Sequence, residues 1–136
     1  MNLMSKPIIL LDFDGVIHSY ASGWQGVDNI PDPPVPGVFE WMEEALEYFD
    51  IAVYSARSES EDGRKAMFDY IMKHASGDLA WSLDFPATKP RAFITIDDRC
   101  ICFNGNWADP QHHPKTLLEF KPWYKSVTSK TPSSGT

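Results

Sequence analysis

The chain has 136 residues and a formal net charge of −7, a length that suits one domain with one core and a charge that argues against broad attraction to DNA, RNA or an anionic membrane. A hydrophobic content of 43% with 13% aromatics excludes a disordered chain. No stretch approaches the roughly 20 apolar residues of a membrane span, Met1–Lys6 has no signal-like apolar core, and Cys100-Ile101-Cys102 makes no disulfide framework, so a cytoplasmic protein without a membrane partner is expected.

In chain order, Ile8 to Leu11 is a continuous apolar run, the pattern of a strand buried on both faces. It ends in Asp12-Phe13-Asp14-Gly15, two carboxylates one residue apart before a glycine that lets the chain turn away. Residues 19–36 are polar and rich in proline, with Asp32-Pro33-Pro34, and predict no regular element. Val38, Phe39, Trp41, Met42, Ala45, Leu46 and Phe49 recur at three-and-four spacing and predict an amphipathic helix. Ile51 to Tyr54 is a second short apolar run, ending at Ser55. Ser58 with Glu61 has capping-box spacing and predicts a helix to about His74, with Ala66, Met67, Tyr70 and Ile71 inward and Gly77 as its stop. Trp81 to Phe85 is a weaker strand candidate. Ala92 to Ile96 is the third strong run and ends at Asp97-Asp98. Ile101 to Phe103 reads as one more strand, with Cys100 and Cys102 on one face as core residues, before a loop at residues 104–114 that holds His112-His113. Trp107, Leu117, Leu118, Phe120 and Trp123 imply a segment that packs back on the core, and residues 126–136 read as a flexible tail after a domain of residues 1–125.

Strands alternating with helices indicate a parallel sheet with right-handed crossovers, in which ligands sit outside the carboxyl ends of the strands. Asp12, Asp14, Ser55, Asp97 and Asp98 all stand at or just past such ends, so the pattern alone brings them to one edge. Four carboxylates without a histidine or cysteine ligand set favour a hard, oxygen-loving cation such as Mg²⁺, which takes few protein carboxylates and completes its shell with water and phosphate oxygens. A carboxylate can also attack phosphorus, a second can act as acid and then base, and Lys89 and the Ser55 hydroxyl are candidates for the phosphoryl oxygens.

Over about residues 7–105 the chain resembles the haloacid-dehalogenase superfamily of phosphohydrolases. Asp12-Phe13-Asp14-Gly15-Val16 is similar to the family's first motif, Ser55 after Ile-Ala-Val-Tyr to the second, Lys89 in Thr-Lys-Pro-Arg-Ala to the third, and Asp97-Asp98 after Phe-Ile-Thr-Ile to the fourth. The resemblance implies a three-layer, Rossmann-like sandwich on a central parallel sheet. It implies Asp12 as nucleophile and Mg²⁺ ligand, Asp14 as acid and base with its backbone carbonyl on the metal, Ser55 and Lys89 on the phosphoryl group, and Asp97 with Asp98 at the metal. The second acid, Asp14, favours phosphate over carbon–halogen chemistry. The intervals between motifs are too short for a cap domain, which implies an open site suited to nucleic-acid ends, phosphoproteins or completion by a neighbouring subunit. The acidic charge favours a small phosphorylated metabolite or nucleotide instead.

Arg57, beside the second motif, is a candidate substrate contact or a salt-bridged arginine; His18, close after Asp14, reads as a loop histidine or as one that faces the site, and Trp24 as a gate or a loop anchor. The expected function is Mg²⁺-dependent phosphomonoester hydrolysis through an aspartyl-phosphate on Asp12. The alternative is a catalytically weak domain whose acidic edge binds a metal or a partner.

Overall fold

The computed structural model describes residues 6–125; the predicted tail, residues 126–136, lies outside them. Three apolar runs become strands β1 (Ile8–Leu11), β2 (Asp50–Val53) and β3 (Ile94–Ile96). Among the described residues they form one parallel sheet in the order β2-β1-β3. The register sets Leu11 opposite both Val53 and Ile96. Asp12, Tyr54 and Asp97 therefore stand one residue past the same row, at the carboxyl edge, and Ser55 one residue further. The backbone of Asp12 extends the pairing by donating to the Ile96 carbonyl at 3.0 Å. The expected parallel sheet of a small α/β protein is present.

Two amphipathic helices supply most of the covering. Helix α1 (Val38–Ala45) starts at Gly37, whose φ of 86° is the left-handed region open to glycine, and buries Met42 and Ala45. Helix α2 (Glu61–His74) buries Gly63, Met67, Tyr70 and Ile71. They meet Ile9, Leu11, Phe13, Ile17, Ile51 and Val53 in one core. Each fully buried aliphatic or aromatic side chain there stabilises the fold by about 1.5–3 kcal/mol.

Several expected elements differ. The capping box belongs to Ser55 and Ser58 and starts a 3₁₀ turn, Ala56–Glu59; helix α2 is capped by Ser60, whose Oγ accepts from the Gly63 amide at 2.9 Å. Gly77 does not end a helix but begins α3 (Gly77–Trp81), whose cap Ser76 accepts from the Leu79 amide. The strand expected at Trp81–Phe85 is thus partly helix, because Leu79, Ala80 and Leu83 bury at helical spacing. Only Asp84 pairs, in a single parallel bridge to Ala52.

Strand β3, from the third strong run, has exposed residues. It has β1 on one side, and among the described residues no later strand follows it in the sheet. The chain divides into two compact units between Asp97 and Asp98, where length alone suggests one domain over 1–125. In the second unit Ile101–Phe103 is not a strand, and Cys100 and Cys102 are exposed rather than in a core. A 3₁₀ turn (Pro110–His112) and the short helix α4 (Pro114–Leu117) are its regular elements among the described residues. Trp107, Leu117, Leu118, Phe120 and Trp123, expected to pack inward, are all exposed.

No helix among the described residues is long and apolar enough to cross a membrane.

Candidate active site

The chain leaves β1 through Asp12, buries Phe13 completely and then turns. The amides of Val16, Ile17 and His18 all converge on the Phe13 carbonyl, at 3.2, 2.8 and 3.0 Å, while Gly15 sits at φ 85° and donates to the His18 carbonyl. This turn separates the two acids. Alternation along the extended backbone puts Asp12 and Asp14 on the side away from Phe13, and the turn then carries Asp14 toward His18.

Asp12 joins the acid that follows β3. Carboxylate oxygens of Asp12 and Asp97 lie within 4.8 Å of each other. Oδ1 of Asp98 is buried and has no hydrogen-bond partner. Carboxylate oxygens at this spacing could hold a metal ion. The Asp14 side chain is not part of the pair.

Asp14 instead anchors a buried polar network. Arg57 is fully buried and aims its fork at Asp14, with Nε 3.0 Å from Oδ2 and Nη2 3.1 Å from Oδ1. Its Nη1 donates to the carbonyls of Gly26 and Val27 at 2.7 and 2.8 Å, and its guanidinium lies 4.6 Å from the ring centre of Trp24. Arg57 is thus the salt-bridged arginine of the two readings, and its donors face protein groups rather than solvent. Trp24 anchors the loop of residues 19–36.

His18 is fully buried, with Nδ1 2.9 Å from Asp14 Oδ1 and Nε2 3.1 Å from the Asp32 amide. The amide can only donate, so Nε2 carries the lone pair and Nδ1 the hydrogen. Nε2 also lies 3.4 Å from Asp32 Oδ2, so the ring stands between two carboxylates. Phe13, Tyr20 and Tyr70 surround it with ring centres 5.6–5.9 Å away. Beyond His18, Asp32 accepts from both the amide and the hydroxyl of Ser22 at 2.7 Å, and Tyr70 donates its hydroxyl to the Asp32 carbonyl at 2.8 Å. Burial pushes the Asp32 carboxyl up, but the two Ser22 bonds and His18 outweigh it and hold it below the usual carboxylate range. Burial, then the charges of Asp32 and Asp14, pushes the Tyr70 hydroxyl well up.

Among the described residues neither Ser55 nor Lys89 makes a side-chain hydrogen bond to Asp14. The Ser55 hydroxyl accepts from the Arg57 amide at 3.0 Å and lies 3.5 Å from Met67 Sδ, so it serves as a helix-type cap. Lys89 is exposed, in the segment between α3 and β3, and makes no hydrogen bond or ion pair among the described residues. His112 and His113 lie in the second unit, where His113 Nδ1 accepts from the Lys115 amide and caps α4.

The network around Asp14 was missed from sequence. His18 stands one helical turn's spacing beyond Asp14 and Arg57 two residues beyond Ser55; neither spacing marks a contact when the elements are a turn and a distant 3₁₀ segment.

No family model matches the chain, and neither a curated protein nor a solved structure does.

Proposed function

We propose that the chain is a Mg²⁺-dependent phosphomonoester hydrolase of the haloacid-dehalogenase type, capless and built on a three-layer sandwich, that works through an aspartyl-phosphate on Asp12. The observation that carries this reading is the gathering of Asp12 and Asp97, from the ends of adjacent parallel strands, within 4.8 Å. Opposed carboxylates at that spacing repel unless a cation lies between them.

In this reading a carboxylate oxygen of Asp12 attacks phosphorus, the P–O bond to the alcohol breaks, and the alcohol leaves with a proton. Water then attacks the aspartyl-phosphate and releases inorganic phosphate and the original carboxylate. Asp12, Asp97 and Asp98 would hold Mg²⁺, which withdraws charge from the phosphoryl oxygens. Asp14 accepts from Arg57 and His18 as a carboxylate, the form that takes a proton from the attacking water. In the first step Asp14 would give its proton to the leaving alcohol, and in the second it would take one from the attacking water, so the two steps balance. Among the described residues Lys89 has no hydrogen bond or ion pair to give up before it meets a phosphate.

A second reading, a metal-binding domain without turnover, is favoured by the hydroxyl of Ser55 serving as a cap and by the tight hold on Asp14. Phosphate release from a panel of nucleotides, phosphorylated oligonucleotide ends, sugar phosphates and phosphopeptides, with Mg²⁺ and with EDTA, separates the two. Hydrolysis needs Mg²⁺ and is abolished in Asp12→Asn, which keeps a thermal midpoint close to that of the wild type. Turnover that survives in Asp12→Asn overturns the nucleophile assignment. Silence across the panel, together with a Mg²⁺-dependent rise in midpoint lost in Asp97→Asn, selects the binding domain.

A further inference from the structure

Charge is segregated along this chain. Residues 1–97 hold seven lysines and arginines against sixteen carboxylates, a balance of −9, while residues 98–136 hold five against three, a balance of +2. The acidic total therefore hides a cationic C-terminal segment. That segment also carries a surface cluster of three rings. Phe103 and Trp107 have ring centres 4.5 Å apart, and His112 lies 5.2 Å from the first and 5.7 Å from the second. Trp107 is 79% exposed and Phe103 48%.

A local frame fixes the backbone between these rings. Asn104 Oδ1 accepts from the Asn106 amide, Asn106 Oδ1 from the Ala108 amide, and Asp109 Oδ1 from the Gln111 amide, all at 2.9–3.0 Å. Asn104 Nδ2 donates to Asp109 Oδ2, and His112 Nδ1 donates to the Asn106 carbonyl. Both Asp109 oxygens are thereby turned to protein donors. Trp107 touches the Phe103 and His112 rings and is 79% exposed, which leaves ring surface open to a flat partner.

We propose that Phe103, Trp107 and His112 form a stacking site for unpaired bases of single-stranded nucleic acid, with exposed lysines such as Lys115 and Lys121 drawing in the phosphates. Every base presents a π-face, so stacking on aromatic side chains is tolerant of sequence, and a cationic surround tracks the backbone. A neutral sugar would stack without using the cationic excess. A duplex keeps its base faces inside and offers none to Trp107. No residue of the acidic edge enters this site, so it stands or falls independently of the phosphohydrolase reading.

The test is fluorescence anisotropy of a short labelled oligothymidylate titrated with the full chain at low and at physiological salt. Binding saturates, weakens as salt rises, and falls roughly five- to a hundredfold in Trp107→Ala, as expected for one lost stacking surface. Trp107→Phe retains most of the affinity. Trp81→Ala, which removes a comparably exposed indole, 76% exposed, from the acidic unit, changes nothing. Should Trp107→Ala lose its folded far-UV spectrum, Trp107→Leu carries the same comparison without an aromatic face. Absence of saturable binding, equal affinity in the Trp107 variant, an equal loss in Trp81→Ala, or equal binding of a duplex of the same length would each overturn the proposal.

Discussion

Replacing Arg57 by Met keeps much of the side-chain stem and removes the charge and the fork. The guanidinium has no exposed surface, pairs with Asp14 through Nε and Nη2, and holds the carbonyls of Gly26 and Val27 through Nη1. Removing one partner of a buried ion pair costs about 3–5 kcal/mol. The Asp14 side chain keeps 15% of its surface exposed, so water can reach the carboxylate once Arg57 is gone, and the lower end, about 3 kcal/mol, is the expectation. For a chain of this size that corresponds to roughly 10 °C in midpoint. Urea unfolding measures the first quantity and calorimetry the second. A double-mutant cycle with Asp14→Asn should give a coupling above about 1 kcal/mol, since each single change strands the other group. Hydrogen exchange should also rise at residues 24–27, which lose their tether. A loss below about 1 kcal/mol with unchanged exchange there would refute the account of Arg57 as the group that joins Asp14 to the loop.

Three further outcomes follow from the packing. In Gly63→Ala the new Cβ would lie 2.0 Å from the Arg57 carbonyl oxygen; although alanine is the better helix former by about 1 kcal/mol, the variant should lose at least about 2 kcal/mol in urea unfolding, and a variant as stable as the wild type would remove that contact from the argument. Asp32 titrates below its unfolded value of about 3.9, so its stabilisation is fully present above that pH and is lost as pH falls through the lower, folded value. Ser22→Ala should therefore cost about 0.5–1.5 kcal/mol at neutral pH, the exposed end of the range for such a bond, and less near pH 3; a difference that does not shrink would contradict the Ser22–Asp32 link. Lys89→Ala should lower the rate of phosphate release by orders of magnitude while leaving the midpoint unchanged, and near-normal hydrolysis would take Lys89 out of the proposed reaction.

What the sequence determined by itself lies where one local pattern suffices. The apolar runs Ile8–Leu11 and Ile51–Tyr54 supply β1 and most of β2, whose apolar residues are largely buried, and the run Ala92–Ile96 supplies β3, which is a strand although its residues are exposed. Their parallel alignment puts Asp12 and Asp97 on one edge, and helix spacing identified α1 and the end of α2 at His74. Where two patterns competed, nonlocal packing chose. Trp81 belongs to a helix because Ser76 caps it and Leu79, Ala80 and Leu83 face the core. Cys100 and Cys102 lie in a run that forms no strand, and both are exposed.

The state of Asp14 was likewise decided only in three dimensions. Nothing near it in sequence announces that Arg57, 43 positions away, would bind it bidentately, or that His18 would present Nδ1–H to the same carboxylate. Hydrophobic periodicity records which face of an element is buried. It carries no record of which polar groups meet once those faces are packed, because a buried hydrogen bond joins residues through the fold and leaves no period along the chain.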